Sequence, residues 1–300
     1  IQAPTLDTSP SSPYVVYRSL GAARTPENVT GYDFVFHADS GFGALEPITA
    51  DNFDIAYENY WGKSSSFTVG LFYKRLNGSI AFGEFEREFE NNGTTQRVVM
   101  RGPRNGKGGG TLKGVEVAVQ TFFDFLPGAW SGLGAQLNYT HVRQSGINNS
   151  HLAVQPGYTP GSTIAFGGGL TVNGAVIDSH RLAGLSDHSY NVVLLYEHGP
   201  IGARLAYTWR SEFLTNNLDC CIGLPMWQQA SGYLDGSIRM QVGNNIELSL
   251  EGSNLLNTTT VNQQQLFGDS ALTPGAATVR RDSAWIRSDR RFQFGVRLKY

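Results

Sequence analysis

Apolar and polar residues alternate along much of this chain with a period of two. The pattern is clearest over 292–300, where Phe292, Phe294, Val296, Leu298 and Tyr300 share one face and polar residues or glycine occupy the other. A period of two predicts a β-strand with one apolar and one polar face. A long strand of this form, whose apolar face ends in an aromatic residue, is typical of a membrane β-barrel.

The alternation occurs nine times, and the connections between the predicted strands alternate between short and long. The predicted strands are 53–58, 67–74, 115–120, 133–140, 190–196, 203–210, 234–241, 246–251 and 292–300. Short turns are predicted near 62–64, 126–130, 198–200 and 243–245, and long loops over 77–110, 144–183, 212–230 and 255–288. Short turns on one side and long loops on the other are expected of an outer-membrane barrel.

The odd number of strands predicts an open sheet. A sheet edge cannot stay unpaired in hydrocarbon, and single-chain bacterial barrels close with an even number of strands. We therefore expect an all-β, antiparallel, transmembrane barrel segment over 51–300, in which 53–60 does not pair with 291–300. Residues 1–50 are rich in Pro, Ser, Gly and Thr and are predicted to be an extracellular loop region.

Composition excludes several classes of protein. The 300 residues contain no apolar run near the ~20 residues of a spanning helix, and the net charge of -2 gives no basic footprint for nucleic acid. Residues 1–13 lack the features of a signal peptide, so we expect that such a peptide was removed or lies on sequence outside this chain. No paired His or Cys spacing indicates a metal site, and no catalytic constellation indicates an enzyme or a cofactor.

Several motifs, in order, resemble those of TonB-dependent outer-membrane receptors. They cover about residues 45–300 and are Asp51–Glu58, Gly70–Lys74, Lys113–Glu116, Phe125–Gly128, Leu137–Thr140, Tyr190–Glu197, Tyr207–Arg210, Glu251–Asn257 and Phe294–Tyr300. The resemblance implies the C-terminal part of a barrel of about 22 strands filled by a plug. The plug, the TonB box and the first strands have no counterpart in this sequence.

The resemblance also implies a function, a location and partners. The expected function is binding of an extracellular solute, with carbohydrate as the nearest family subgroup, and its energised import through the bacterial outer membrane. The expected partners are the remaining strands and plug, the TonB-ExbB-ExbD complex, outer-membrane lipid, lipopolysaccharide and the solute. Two alternatives remain open, a passive porin-like channel and a secreted β-sandwich binding module.

The adjacent Cys220 and Cys221 lie in the predicted loop 212–230. An oxidising exterior favours a bond between two thiols, although a bond between neighbouring cysteines is strained and easily reduced. We therefore expect a disulfide between Cys220 and Cys221, on the extracellular side, that stiffens the loop or contacts a ligand. Two free thiols are the alternative.

Loop aromatic residues are the candidates for solute recognition. Sugars bind to aromatic faces flanked by amides and carboxylates, so the predicted ligand residues are Trp227, Gln228, Gln229, Asn217 and Tyr158. Trp285 is a further loop aromatic. For each of these residues, packing within the loop is the alternative role.

Two other segments invite a functional interpretation. Residues 101–110 resemble a phosphate-binding loop, but the glycine spacing is wrong, Ser or Thr is missing after the lysine, and a strand follows where a helix is required. The acidic residues Glu84, Glu86, Glu88 and Glu90 recur at a spacing of two, which predicts a polar strand face or a strand that extends beyond 77.

Overall fold

Most of the described part of the chain folds into β-strands. A computed structural model describes residues 7–19, 29–39, 45–62, 64–147, 177, 179–217, 224–270 and 273–298. The strands in this part are β1 (Asp7–Ser19), β2 (Val29–Asp39), β3 (Thr49–Trp61), β4 (Ser65–Asn91), β5 (Thr94–Phe122), β6 (Leu133–Ser145), β7 (His188–His198), β8 (Ile201–Arg210), β9 (Phe213–Asn216), β10 (Met226–Gln228), β11 (Ser231–Val242), β12 (Ile246–Ser253), β13 (Thr259–Phe267), β14 (Val279–Arg287) and β15 (Arg291–Leu298). A 3₁₀ helix spans Gly128–Gly132. None of the described segments contains a helix long and apolar enough to cross a membrane.

Nine of these strands confirm the alternation pattern. They are β3, β4, β5, β6, β7, β8, β11, β12 and β15, and each overlaps one of the predicted strands. Each pairs with the next in an antiparallel register, through short turns such as Gly199–Pro200 at one end and long connections at the other. We call these two ends of the sheet the short-turn end and the long-connection end.

The register sorts the side chains of this sheet onto two chemically different faces. Ile55, Leu71 and Val115 lie opposite one another on three neighbouring strands, and Leu250 lies opposite Phe294. These residues belong to an apolar face whose side chains are largely exposed; Ile55, for example, is 69% exposed. An exposed apolar face this wide is expected where lipid, not water, covers the sheet.

The opposite face is polar, and Arg297 of the last strand lies on it. Glu247 lies opposite Arg297, with 3.7 Å between Glu247 Oε1 and Arg297 Nη1. On the same side of the sheet, Asn191 Nδ2 donates to Thr208 Oγ1 over 2.7 Å. Val296 points to the apolar side, opposite Leu248, so the predicted register of the last strand is confirmed over its described residues.

The sheet does not close on itself within the described residues. β3 pairs only with β4, and β15 pairs only with β12. The first and last strands of the alternating series therefore each keep one edge free of partners from the described part of the chain. This arrangement is the predicted open segment of a barrel.

Two segments that we predicted as loops contain strands. Residues 77–110 continue β4 and β5 as one long hairpin, which turns at Asn92 and Gly93 with positive φ angles of 51° and 77°. Within residues 1–50, β1 and β2 form an antiparallel pair, and residues 36–39 of β2 run parallel to 98–101 of β5. The long β4–β5 extension provides the edge on which β2 pairs.

The predicted loops 212–230 and 255–288 combine into a second sheet at the long-connection end. Its strand order is β14-β13-β10-β9, and all its pairs are antiparallel. We call this element the loop sheet. Each of the two loops contributes two strands, so the sheet links connections that lie far apart in sequence.

The segment Asn254–Asn257 joins β12 to the loop sheet through a closely bonded corner. Asn254 has a φ of 51°, is 6% exposed, and receives the Thr258 N–H at its Oδ1 over 2.9 Å. Its Nδ2 donates to the carbonyl of Ser288, and its own N–H donates to Asp235 Oδ1 over 2.8 Å. One residue, through its side chain and its backbone N–H, thus ties together the ends of three segments and sets where the loop sheet begins.

Leu255 anchors the same corner on the apolar face. Its side chain covers the facing glycines Gly236 and Gly252, which lie opposite each other on β11 and β12. A Cβ at position 252 would lie 2.7 Å from Leu255 Cδ2, so a larger residue there would displace the leucine. The two glycines create the space that the leucine occupies.

Candidate ligand-binding site

A buried indole lies at the centre of the loop sheet. Trp227 in β10 is 5% exposed, and its Nε1 donates to Gln265 Oε1 over 2.7 Å. The Arg280 Cζ lies 3.7 Å from the centroid of the indole ring, and Arg280 Nη1 lies 3.0 Å from Glu212 Oε2. A cation over an aromatic face is attracted by the ring quadrupole, so Arg280 holds Trp227 and Glu212 together across three segments of chain.

Glutamine side chains complete this interior. Gln264 Nε2 donates to the carbonyls of Leu224 and Pro225 over 2.9 and 3.1 Å. Gln265 is 1% exposed, and its backbone N–H donates to the Pro225 carbonyl over 2.9 Å. Because buried amides are costly unless they are bonded, these contacts fix the chain just before Trp227.

Four residues form an accessible polar and aromatic surface on the face of the loop sheet that also bears Trp227. Gln229 and Gln263 each donate from Nε2 to Asp282 Oδ1, over 3.1 and 2.8 Å. Trp285 lies opposite Val261, two residues from Gln263, and is 64% exposed. We call Gln229, Gln263, Asp282 and Trp285 the loop-sheet patch.

The loop-sheet patch offers an apolar ring beside fixed polar atoms. Asp282 orients both amide groups through their nitrogens, which leaves the two glutamine Oε1 atoms and Asp282 Oδ2 without a bond to any described residue. The backbone N–H of Gln229 donates to the Val261 carbonyl over 2.9 Å, so Gln229 and Trp285 flank Val261 on neighbouring strands. A solute with a flat apolar face and peripheral hydroxyl groups matches this arrangement.

The predicted ligand residues have different environments. Trp227 is packed beneath Arg280, so the free ring face that we expected is not displayed, and its contact with a ligand stays a prediction. Gln228 Nε2 donates to Ser231 Oγ over 3.3 Å, and Asn217 Oδ1 accepts from Ser179 Oγ over 3.1 Å. Gln229 is the predicted residue that joins the loop-sheet patch. Tyr158, Cys220 and Cys221 lie outside the described residues.

The sequence analysis missed the roles of Gln263 and Asp282. The run Asn262–Gln265 carried a usable signal, because successive residues of a strand point to opposite faces, which places Gln263 and Gln265 on one face and Gln264 on the other. Trp285 was recognised only as a loop aromatic. Its place beside the glutamines depends on the β13–β14 register, in which Ser283 is an extra residue opposite the Asn262–Gln263 step.

A second cluster stabilises the turn between β13 and β14. Asp269 Oδ2 lies 2.6 Å from His180 Nε2, and Asp269 Oδ1 accepts the Gly275 N–H over 2.7 Å. The Gly275 N–H, followed by the His180 ring, lowers the pKa of Asp269 below its ordinary value of 3.8. This carboxylate therefore links the 144–183 connection to the β13–β14 turn.

The other segments with possible chemistry have structural positions. Residues 101–110 lie inside β5, so the local structure required for a phosphate-binding loop is absent there. The acidic run Glu84–Glu90 lies in β4 and pairs with 95–101 of β5. In the described part of the chain, no group of three or more His, Cys, Asp or Glu residues is arranged to hold a metal ion.

The chain is similar to several solved receptor structures. Pseudomonas aeruginosa FpvA, solved with heterologous pyoverdines, is 13% identical with a TM-score of 0.46, and the match covers 85% of this chain and 28% of FpvA. The siderophore receptor PirA of Acinetobacter baumannii is 13% identical with a TM-score of 0.45, over 75% of this chain and 30% of PirA. A mutant of the P. aeruginosa ferric enterobactin receptor PfeA is 11% identical with a TM-score of 0.49, over 88% of this chain and 33% of PfeA. The chain spans about a third of the length of these structures, and no curated protein matches its sequence.

Sequence comparison with protein families gives the assignment. The family described as TonB dependent receptor-like, beta-barrel, matches residues 2–255, which is most of the chain. The antiparallel strands and the two contrasting faces agree with that match. The chain therefore belongs to the TonB-dependent receptors of the bacterial outer membrane and forms part of their β-barrel.

Proposed function

We propose that this chain supplies part of the barrel and the solute-binding loops of a receptor that imports a carbohydrate into the periplasm. The loop-sheet patch is the observation that supports this proposal. The long-connection end, together with residues 1–50, would face the cell exterior, because long connections of outer-membrane barrels are extracellular. The patch would then meet the solute before it enters the barrel.

Carbohydrate fits the chemistry of the patch better than a purely apolar solute. The Trp285 ring is accessible and can pack against the C–H face of a sugar, while the free oxygens of Gln229, Gln263 and Asp282 accept hydrogen bonds from hydroxyl groups. These polar groups are held by one another and by the strands. Their ordering before binding reduces the entropy cost of recognition.

Membership of the family supports import rather than binding alone. The free edges of β3 and β15 require further strands, since unsatisfied backbone groups are costly in hydrocarbon. We propose that the remaining strands and a plug complete the barrel, and that the TonB-ExbB-ExbD complex moves the plug with inner-membrane energy. The receptor makes and breaks no covalent bond in this cycle.

Replacing Trp285 tests the binding site. In the complete receptor, Trp285→Ala should weaken binding of a neutral oligosaccharide by about 10-fold or more, because a stacking surface is removed. Maltohexaose, xylohexaose and chitohexaose serve as probes, and binding is measured by titration calorimetry. The matched control is Trp130→Ala, since Trp130 is equally exposed, at 65%, but lies at the short-turn end.

Different outcomes test the binding site, the class of substrate and the mechanism of transport. One of the three oligosaccharides is expected to bind the unaltered receptor. If the Trp285→Ala and Trp130→Ala receptors bind it with equal affinity, the loop-sheet patch is not its binding site. If none of the three oligosaccharides binds and a ferric siderophore does, the substrate is a siderophore and not a carbohydrate. Uptake that survives collapse of the inner-membrane proton gradient would indicate a passive porin-like channel.

A further inference from the structure

The loop-sheet patch carries one negative charge that the described protein does not neutralise. Asp282 is exposed, and no ion pair in the described part of the chain includes it. Its Oδ1 accepts hydrogen bonds from Gln229 and Gln263, and both donors are neutral amides. These bonds orient the carboxylate without cancelling its charge. Asp282 Oδ2 is therefore positioned to meet a cation from outside.

The arginines of β14 do not supply the missing positive charge. Arg280 is engaged by Glu212, with 3.0 Å between Arg280 Nη1 and Glu212 Oε2. Arg281 is the direct neighbour of the carboxylate along the strand, so it points to the opposite face of the loop sheet. Arg287 lies beyond the exposed indole, on the side away from the carboxylate. The indole and the carboxylate therefore flank a part of the patch that contains no arginine of this strand.

A β-bulge places the indole and the carboxylate on the same face. Asp282 and Trp285 are three residues apart and would point to opposite faces of a regular strand. Because Ser283 is an extra residue in the pairing, Asp282 lies opposite Gln263 and Trp285 lies opposite Val261. Two residues along a strand span about 7 Å, so one solute can contact both side chains at once.

We propose that the loop-sheet patch binds a carbohydrate that carries protonated amino groups, in preference to a neutral one. An ammonium group donates three hydrogen bonds and accepts none, which matches Asp282 Oδ2 and the Oε1 atoms of Gln229 and Gln263. The face of the Trp285 ring attracts the same cation while the sugar packs against it. This inference rests on the proposed function, because it specifies the solute that the same patch binds.

Binding of three matched hexasaccharides by the complete receptor tests the proposal. They share one backbone linkage and differ in a single substituent, which is a hydroxyl in cellohexaose, an acetamide in chitohexaose and an ammonium in the hexamer of glucosamine. Affinities are measured by titration calorimetry at about pH 5.5, where amines are protonated and carboxylates are ionised. The glucosamine hexamer should bind about 10-fold more tightly than either neutral hexasaccharide, because a charge-assisted hydrogen bond is gained.

Asp282→Asn removes the charge and keeps an oxygen that accepts from the two glutamines. This variant should bind the glucosamine hexamer about 10-fold more weakly and cellohexaose as before. The matched control is Asp289→Asn, which removes the same charge at an exposed position outside the patch. Salt tests the unaltered receptor without any substitution. At an ionic strength of about 1 M, where the Debye length is about 3 Å, the preference for the glucosamine hexamer should fall to about two-fold.

Three results would overturn the proposal, and each identifies which part of it is wrong. If cellohexaose and the glucosamine hexamer bind equally and Trp285→Ala weakens both, the patch is a carbohydrate site that does not recognise ammonium. If Asp282→Asn and Asp289→Asn lose the same affinity for the glucosamine hexamer, the preference comes from the overall charge of the receptor. If no hexasaccharide binds, the carbohydrate function itself is wrong, and this inference falls with it.

Discussion

The guanidinium of Arg280 lies over the ring of Trp227, with 3.7 Å between the arginine Cζ and the ring centroid. The same guanidinium forms an ion pair with Glu212 at the beginning of the other long connection. Arg280 thus joins β14, β10 and the segment before β9. This contact adds a side-chain link between the two loops of the loop sheet, beside the β10–β13 strand pairing and the Trp227–Gln265 hydrogen bond.

Removing this cation should loosen the loop sheet without affecting the barrel. Arg280→Gln loses the contact with the ring and the ion pair, at a local cost of about 1–2 kcal/mol. Hydrogen exchange of the β10 and β13 amides should become faster, while exchange in β7 and β8 stays the same. Arg281→Gln, at the exposed neighbouring position, is the control. Unchanged protection in β10 would show that other contacts hold the sheet.

Substitution of Trp227 separates the contribution of its hydrogen bond from that of its packing. Trp227→Phe leaves Gln265 Oε1 buried without a donor and should cost the loop sheet about 1–3 kcal/mol. Trp227→Ala also opens a cavity and should cost about 3–5 kcal/mol. Limited proteolysis of the receptor between 212 and 230 measures both effects. If Trp227→Ala lowers solute affinity while proteolysis is unchanged, Trp227 contacts the solute directly.

Asn254 should be sensitive to substitution for two separate reasons. Asn254→Gly retains the positive φ and loses the side-chain bonds to Thr258 and Ser288, whereas Asn254→Ala adds about 1 kcal/mol of backbone strain. We expect the alanine receptor to denature at a lower urea concentration than the glycine receptor, and both below the unaltered receptor. Asn244→Ala, in the exposed β11–β12 turn, should have no effect. Identical midpoints for glycine and alanine would exclude the strain.

The stability of the β13–β14 turn should depend on pH through Asp269. Its folded pKa is lowered, chiefly by the Gly275 N–H, so the ionised carboxylate stabilises the turn above the ordinary value of 3.8. That stabilisation is lost as the pH falls through the lower folded pKa. Hydrogen exchange at Gly275, measured by NMR and corrected for the intrinsic rate at each pH, should therefore lose protection in acid. In the Asp269→Asn receptor, this loss of protection should be absent.

Local sequence patterns identified the barrel strands because alternation is a property of neighbouring residues. A strand between lipid and a polar lumen must alternate at every second position, and nine segments display this requirement without reference to one another. The β4–β5 extension was underestimated, although Asn92-Gly93 is a recognised turn signal and Glu84–Glu90 alternate with Phe85, Arg87 and Phe89. The signal was present there, but the many polar residues of 77–110 favoured a loop.

The sequence by itself determined which residues face lipid, which face the polar side, and where the chain turns. The tertiary structure decided what the long connections do, because their contacts join residues distant in sequence. Trp227 is buried only because Arg280 and Gln265 reach it from later strands, and Trp285 meets the glutamines only through the β13–β14 register. The same sequence neighbourhood would permit an exposed Trp227. Pairing between two loops leaves no periodic pattern in the local sequence. Only the folded arrangement therefore distinguishes Trp227, which packs inside the loop sheet, from Trp285, which is accessible.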